Sequence, residues 1–150
     1  MTSIQTQRGL WWHGVLLLIL GLVNGALIPY FTNPRMGLSA HLTGIQNGIV
    51  LVLFGFLWPH LKLTRRQGAI GFWSAVYGVY VIWVALILAA IFGTRRSTPI
   101  AGVGYGGSMW QETLVDVLIG TGSIAIIAAA ILVLYGLRRK EDESLNPPAA

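Results

Sequence analysis

The chain has 150 residues, of which 55% are hydrophobic and only 10% charged, with mean hydropathy +0.69. That balance excludes an ordinary soluble globule and fits one domain of membrane-spanning helices. With no cysteine, disulfides, thiolate metal sites and cysteine nucleophiles are excluded, and the net charge of +5 sits in short basic clusters between apolar runs, the pattern of helix ends at a membrane and not of a nucleic-acid surface.

Four apolar runs predict an all-α integral membrane protein, a four-helix bundle with spans at about 10–30, 40–58, 69–92 and 110–137. Residues 1–140 form the membrane domain, and 141–150 read as a disordered tail. The first run is too long for a signal-peptide core and is read as a retained span. It carries Trp11 and Trp12 at one end and Pro29-Tyr30 at the other, as suits the two interfaces. Gly21 and Gly25 make a small-xxx-small pair. His13 reads as an interfacial histidine, and Asn24 either bonds two helices together or lines a substrate pocket.

Phe31 to Ser39 reads as a loop, with Asn33-Pro34 as a turn and Ser39 as the N-cap of the second span. The second span opens with His41. Gly44, Gly48 and Gly55 follow at offsets of 3, 7 and 14, so they share a face with it. That stripe is either a helix-packing surface or a flat wall for a planar ligand anchored by His41. Asn47, on another face, needs a hydrogen-bond partner or a substrate, because a bare amide in lipid is costly.

The loop from His60 to Gly68 is basic. In the third span Tyr77, Tyr80 and Trp83 form a sloping stripe, either aromatic packing or the wall of an aromatic pocket. Gly93 to Met109 is glycine-rich but lacks the strand and the Gly-Lys-Ser/Thr ending of a phosphate loop; a lid over a pocket mouth is the remaining alternative. Glu112 and Asp116 open the fourth span. Both gain from the helix macrodipole, and Asp116 lies deep enough to need a cation, with Arg35 or Arg95 available.

With four spans both termini share one side. Arg8, Lys62, Arg65, Arg66, Arg138, Arg139 and Lys140 fall there, against Arg35, Arg95 and Arg96 opposite. The termini are therefore expected in the cytoplasm, with the chain a multi-pass protein of the cell inner membrane. Asn24, His41, Asn47, Glu112 and Asp116 then gather toward the opposite leaflet. Zinc and carboxylate di-iron sites lack ligands at the right spacing. A haem needs only one protein ligand on one face, which a lone deep histidine supplies.

The stretch Asn33-Pro34-Arg35-Met36-Gly37-Leu38-Ser39-Ala40-His41-Leu42, with Gly44, Asn47 and Gly48, resembles the bacterial hydroxylaminobenzene mutases. Tyr77-Gly78, Tyr80, Trp83 and Thr98-Pro99-Ile100-Ala101-Gly102 extend the resemblance over about Arg8 to Arg139. More distantly, Ala40 to Gly48 is similar to the styrene oxide isomerases, which turn an aryl epoxide into an aldehyde. The resemblance implies a redox-neutral isomerase that converts an arylhydroxylamine to a 2-aminophenol. It implies ferric haem b on His41, with Gly44 and Gly48 beside it and Asn47 orienting the substrate. It also implies a homo-oligomer, a trimer by analogy. Tyr80, Trp83, Tyr77 and Asn24 would line the pocket for a small aromatic substrate, and Asp116 or Glu112 would move the proton. The epoxide isomerases place an aspartate and a tyrosine on the third span; no carboxylate stands there here, which favours the mutase reaction. A non-catalytic four-span scaffold is the alternative of another class.

Overall fold

The computed structural model describes residues 3–145, with side chains as far as Arg138. Four α-helices and no strands are present among the described residues. They are α1 (Ser3–Leu27), α2 (Pro34–Leu57), α3 (Arg65–Phe92) and α4 (Met109–Leu145), with single 3-10 turns at Ile28–Tyr30 and Trp58–His60. Each helix is long and apolar enough to cross a membrane, and the chain is a multi-pass membrane protein. Its exposed surface is apolar along the spans, with Val15, Ile19, Leu22, Ile124, Ile127 and Ile131 all facing outward, as lipid contact requires.

The helices extend past the apolar runs because those runs mark only the part in lipid. α2 begins at Pro34 and not near Ala40. Asn33 caps it by accepting from the Arg35 and Met36 backbone N–H groups at 3.1 and 3.3 Å, and Pro34 fills the first position, where no N–H is needed. Ser39, expected as the cap, lies inside the helix and donates back to the Arg35 carbonyl at 3.1 Å. α3 starts on a capping box. Gln67 N–H donates to Thr64 Oγ1 at 3.3 Å and Thr64 N–H to Gln67 Oε1 at 2.9 Å. It stops at Gly93, whose φ of 69° is the left-handed C-terminal signal. α4 continues as helix to Leu145, so part of the expected tail is helical, and residues 146–150 lie outside the described residues.

Packing follows glycine. α1 lies along α2, and an added Cβ at Gly14 would come 2.7 Å from the Gly48 carbonyl oxygen. α3 lies along α4, and an added Cβ at Gly78 would come 2.8 Å from the Ile126 nitrogen. α2 and, less extensively, α1 meet α3, whereas α4 packs mainly along α3 and also reaches residues 58–63, where the Lys62 N–H donates to the Gly136 carbonyl at 3.2 Å. Leu10, Leu17, Leu51, Phe72, Val79 and Val133 form the main core, and Met36, Ala89, Ala90 and Val115 form a second cluster.

Candidate active site

His41 stands about two turns into α2. It is half-buried, and its Nδ1 lies 2.7 Å from the Gly21 carbonyl oxygen. A carbonyl oxygen only accepts, so the proton belongs on Nδ1 and the lone pair on Nε2. Nε2 makes no hydrogen bond to any described residue. The α1 backbone leaves room for the ring only because residue 25 is glycine: a Cβ there would sit 2.6 Å from Nδ1.

Asn24 joins two helices. It is 3% exposed, and its amide donates to the Gly37 carbonyl at 3.1 Å, tying α1 to α2. The glycine stripe of α2 is likewise a packing surface. Gly44 meets Gly21 and the indole of Trp83, Gly48 meets Gly14, and Gly55 meets Trp11. The expected flat wall for a planar ligand at Gly44 and Gly48 is therefore filled by α1. One α1 residue, Gly21, links the two halves of this cluster, since its carbonyl holds His41 and its Cα faces Gly44 beside Trp83. The Trp83 indole N–H is buried without an acceptor among the described residues, which is rare for a buried donor.

Asn47 and Tyr80 meet α3 and α1 at a lower level. Six residues of helix separate Asn47 from His41, about 9 Å along the axis. The Asn47 amide donates to the Val79 carbonyl at 3.3 Å, and the Tyr80 hydroxyl donates to the His13 carbonyl at 3.2 Å. His41 therefore turns to α1 and Asn47 to α3, and no hydrogen bond joins them. Tyr77 points elsewhere again. It is half exposed, donates to Thr121 Oγ1 on α4 at 3.3 Å, and lines an open apolar groove of about 500 Å³ with Trp12, His13, Trp73 and Tyr80.

The two carboxylates hold the loop between α3 and α4. Buried Glu112 accepts the backbone N–H groups of Arg95, Arg96 and Gly107 at 3.1, 2.9 and 3.1 Å. Asp116 accepts from the Arg96 guanidinium and the Ser97 hydroxyl. Its cation is thus Arg96 and not Arg35 or Arg95. Arg35 instead donates to the Val103 carbonyl and lies 5.7 Å over the Tyr105 ring. Asn33 adds a bond to the Ala101 carbonyl at 2.9 Å and takes the Ala90 carbonyl with its own N–H at 2.9 Å. No hydrogen bond connects Glu112 or Asp116 to His41, Asn47, Tyr80 or Trp83 among the described residues. The loop is pinned on both sides, an arrangement unlike a free lid.

The chemistry of the donor set fits one kind of metal group. No three His, Asp or Glu side chains cluster among the described residues. His41, with Nδ1 engaged by the Gly21 carbonyl, could offer Nε2 as one imidazole ligand to a group that needs a single protein ligand. Its own chain supplies no glycine cradle for a macrocycle, because α1 occupies that face.

The sequence model of the styrene oxide isomerase family matches residues 6–138, nearly the whole chain. The chain belongs to the styrene oxide isomerase family. It is also 41% identical over 140 residues to hydroxylaminobenzene mutase HabB of Ectopseudomonas oleovorans, covering 91% of this chain and 84% of that one. It is 38% identical over 134 residues to hydroxylaminobenzene mutase HabA of the same organism, covering 89% and 99%. No solved structure matches. The chain is therefore an isomerase, which sets aside the non-catalytic scaffold.

Proposed function

We propose that this family member converts arylhydroxylamines of the hydroxylaminobenzene type to 2-aminophenols. The observation that carries the reading is its likeness to two named mutases across about nine-tenths of its length. The lack of any Asp or Glu on α3 favours this over the epoxide-to-aldehyde rearrangement. The reaction is an isomerisation. The N–O bond breaks, a C–O bond forms at the ortho carbon, and the ortho proton is lost as nitrogen regains one, so no oxidant or reductant is needed.

His41 Nε2 would hold ferric haem b, which supplies a Lewis acid for the hydroxylamino group when bound. The rest is done by side chains. The unpartnered Trp83 N–H is a donor for oxygen as negative charge develops on it. Asn47 keeps Oδ1 and one amide hydrogen free while its other hydrogen is anchored on Val79, so it can orient the substrate's N–H or O–H. Tyr80 and Trp83 offer ring faces to a cationic arene. Glu112 and Asp116, engaged with the loop, rank behind the Tyr80 oxygen as the group that moves the ortho proton. Apolar walls exclude water that would otherwise capture the ring. A homo-oligomer is proposed, a trimer by analogy with the epoxide isomerases. The charge bias of the loops supports cytoplasmic termini in an inner membrane.

The test is product analysis on detergent-purified protein with phenylhydroxylamine and styrene oxide in parallel, alongside absorption spectra. 2-Aminophenol formation and a Soret band, both lost in His41→Ala, are expected. Phenylacetaldehyde as the sole product would transfer the assignment to the epoxide reaction. Turnover with no bound haem would remove the metal from the mechanism and leave the mutase reading.

A further inference from the structure

We propose that Asn24 is a positioning residue that, with Gly21 and Gly25, clamps His41 as the Nδ1–H tautomer with Nε2 presented outward. Its use in catalysis rests on the function proposed above; the clamp itself does not.

The Gly37 carbonyl joins Asn24 to His41. In a regular α-helix the carbonyl of residue 37 accepts the N–H of residue 41, and α2 is helical throughout this stretch. The Asn24 amide donates to that same oxygen at 3.1 Å. Asn24 therefore grips the peptide unit from which the His41 backbone hangs. On the other side, the His41 ring donates to the Gly21 carbonyl at 2.7 Å. Gly21, Asn24 and Gly25 are three and four residues apart on α1, so they lie on one face of one turn. Backbone and ring of His41 are thus both tied to that turn. Gly25 completes it, because a Cβ there would lie 2.6 Å from Nδ1 and 2.8 Å from Cε1 and would push the ring off Gly21.

A merely structural role does not require this arrangement. Helix contact between α1 and α2 is already made by Gly14 on Gly48 and Gly21 on Gly44. What the Asn24 bond adds is the height of His41 relative to Gly21. A hydrogen bond to one imidazole nitrogen decides the tautomer and basicity of the other, and loss of such a partner typically costs a ligating histidine 10- to 100-fold in affinity, roughly.

The experiment uses the full-length chain in lipid nanodiscs with 15N-labelled histidine and no added haem. The His41 signals are those that vanish in His41→Ala. Wild type is expected to show a single neutral tautomer protonated at Nδ1, and Asn24→Leu to show averaging of the two tautomers with helical circular dichroism unchanged. A wild-type Nε2–H tautomer overturns the proposal without any variant. So does a single Nδ1–H tautomer in Asn24→Leu. If that variant does not fold, Asn24→Ser, whose hydroxyl stops short of Gly37, is read in the same way. Haem is then titrated into the same samples. An Asn24 variant that loses the tautomer and binds haem roughly tenfold more weakly joins the clamp to the function. A wild type that keeps the tautomer but takes up no haem leaves the clamp standing and removes the axial-ligand reading.

Discussion

The two helix hairpins close by the same device and use it differently. In α1/α2, Gly14 and Gly21 meet Gly48 and Gly44; in α3/α4, Gly78 meets Gly122 and the Ile126 backbone. Both give close backbone approach without a hydrophobic driving force, as helices in lipid require. In α3/α4 that approach brings no buried side-chain hydrogen bond with it. In α1/α2 it brings a buried one, Asn24 to Gly37, and a part-buried one, His41 to Gly21. The glycines alone therefore say nothing about chemistry, and the polar ties across them do. The sharpest way to break this comparison is to fill each contact with bulk. Gly44→Leu and Gly78→Leu should each destabilise by about 3 kcal/mol, through overpacking against backbone that cannot move aside. Steric trapping or thermal aggregation in detergent measures this. Gly44→Leu must also disturb the His41 resonances under conditions where the protein is still folded, and Gly78→Leu must not. Equal disturbance by both would dissolve the distinction between the hairpins.

The next effect concerns the loop between α3 and α4. Three backbone N–H groups end on the buried carboxylate of Glu112. Glu112→Ala leaves them without that partner and should cost roughly 2 kcal/mol, read as a lower melting temperature and faster proteolysis between Gly93 and Ser108. If instead the fold is unaffected while turnover collapses, Glu112 is a catalytic acid after all. Asn33→Ala is milder. It removes an N-cap and should cost about 1 kcal/mol, plus whatever the bond to Ala101 contributes; the same melting measurement ranks the two variants.

Much of the architecture was readable in the chain, because span length and apolar runs are set by the bilayer itself. Helix starts were readable too, but at other residues. Asn33-Pro34 is an N-cap followed by a favoured first position, and Thr64 with Gln67 is a capping box; both signals stand in the sequence and outweigh Ser39. The glycine face of α2 was ambiguous because a flat stripe has the same spacing whether a ligand or a helix covers it. Gly14 and Gly21 on α1, seven residues apart, were the matching signal. Asn24 and Glu112 were visible as polar residues in an apolar setting, but their partners are backbone groups of distant residues, and a backbone carbonyl has no letter in the sequence. Asp116 needed a cation, for which Arg35 or Arg95 was expected, and only the path of the loop brings Arg96 to it instead. Trp83 could be placed on a stripe, but not known as an orphaned donor, since that depends on the indole packing against Gly44.

The smallest predicted effect separates packing from propensity within one helix. Gly120 and Gly122 are two residues apart on α4, and sequence alone gives them equal standing. A Cβ on Gly120 meets nothing within 4 Å, whereas one on Gly122 lies 2.8 Å from Ile82 Cγ1 and 3.1 Å from the Gly78 carbonyl oxygen. Gly120→Ala should therefore gain helix propensity freely and stabilise by up to about 0.8 kcal/mol. Gly122→Ala gains the same propensity but forces α3 away, and the net change should be destabilising. Two melting curves in the same detergent decide it. If Gly122→Ala is as stable as Gly120→Ala, α3 and α4 are not held at the separation that Gly78 and Gly122 allow, and the shared basis of the hairpin comparison fails at the α3/α4 end.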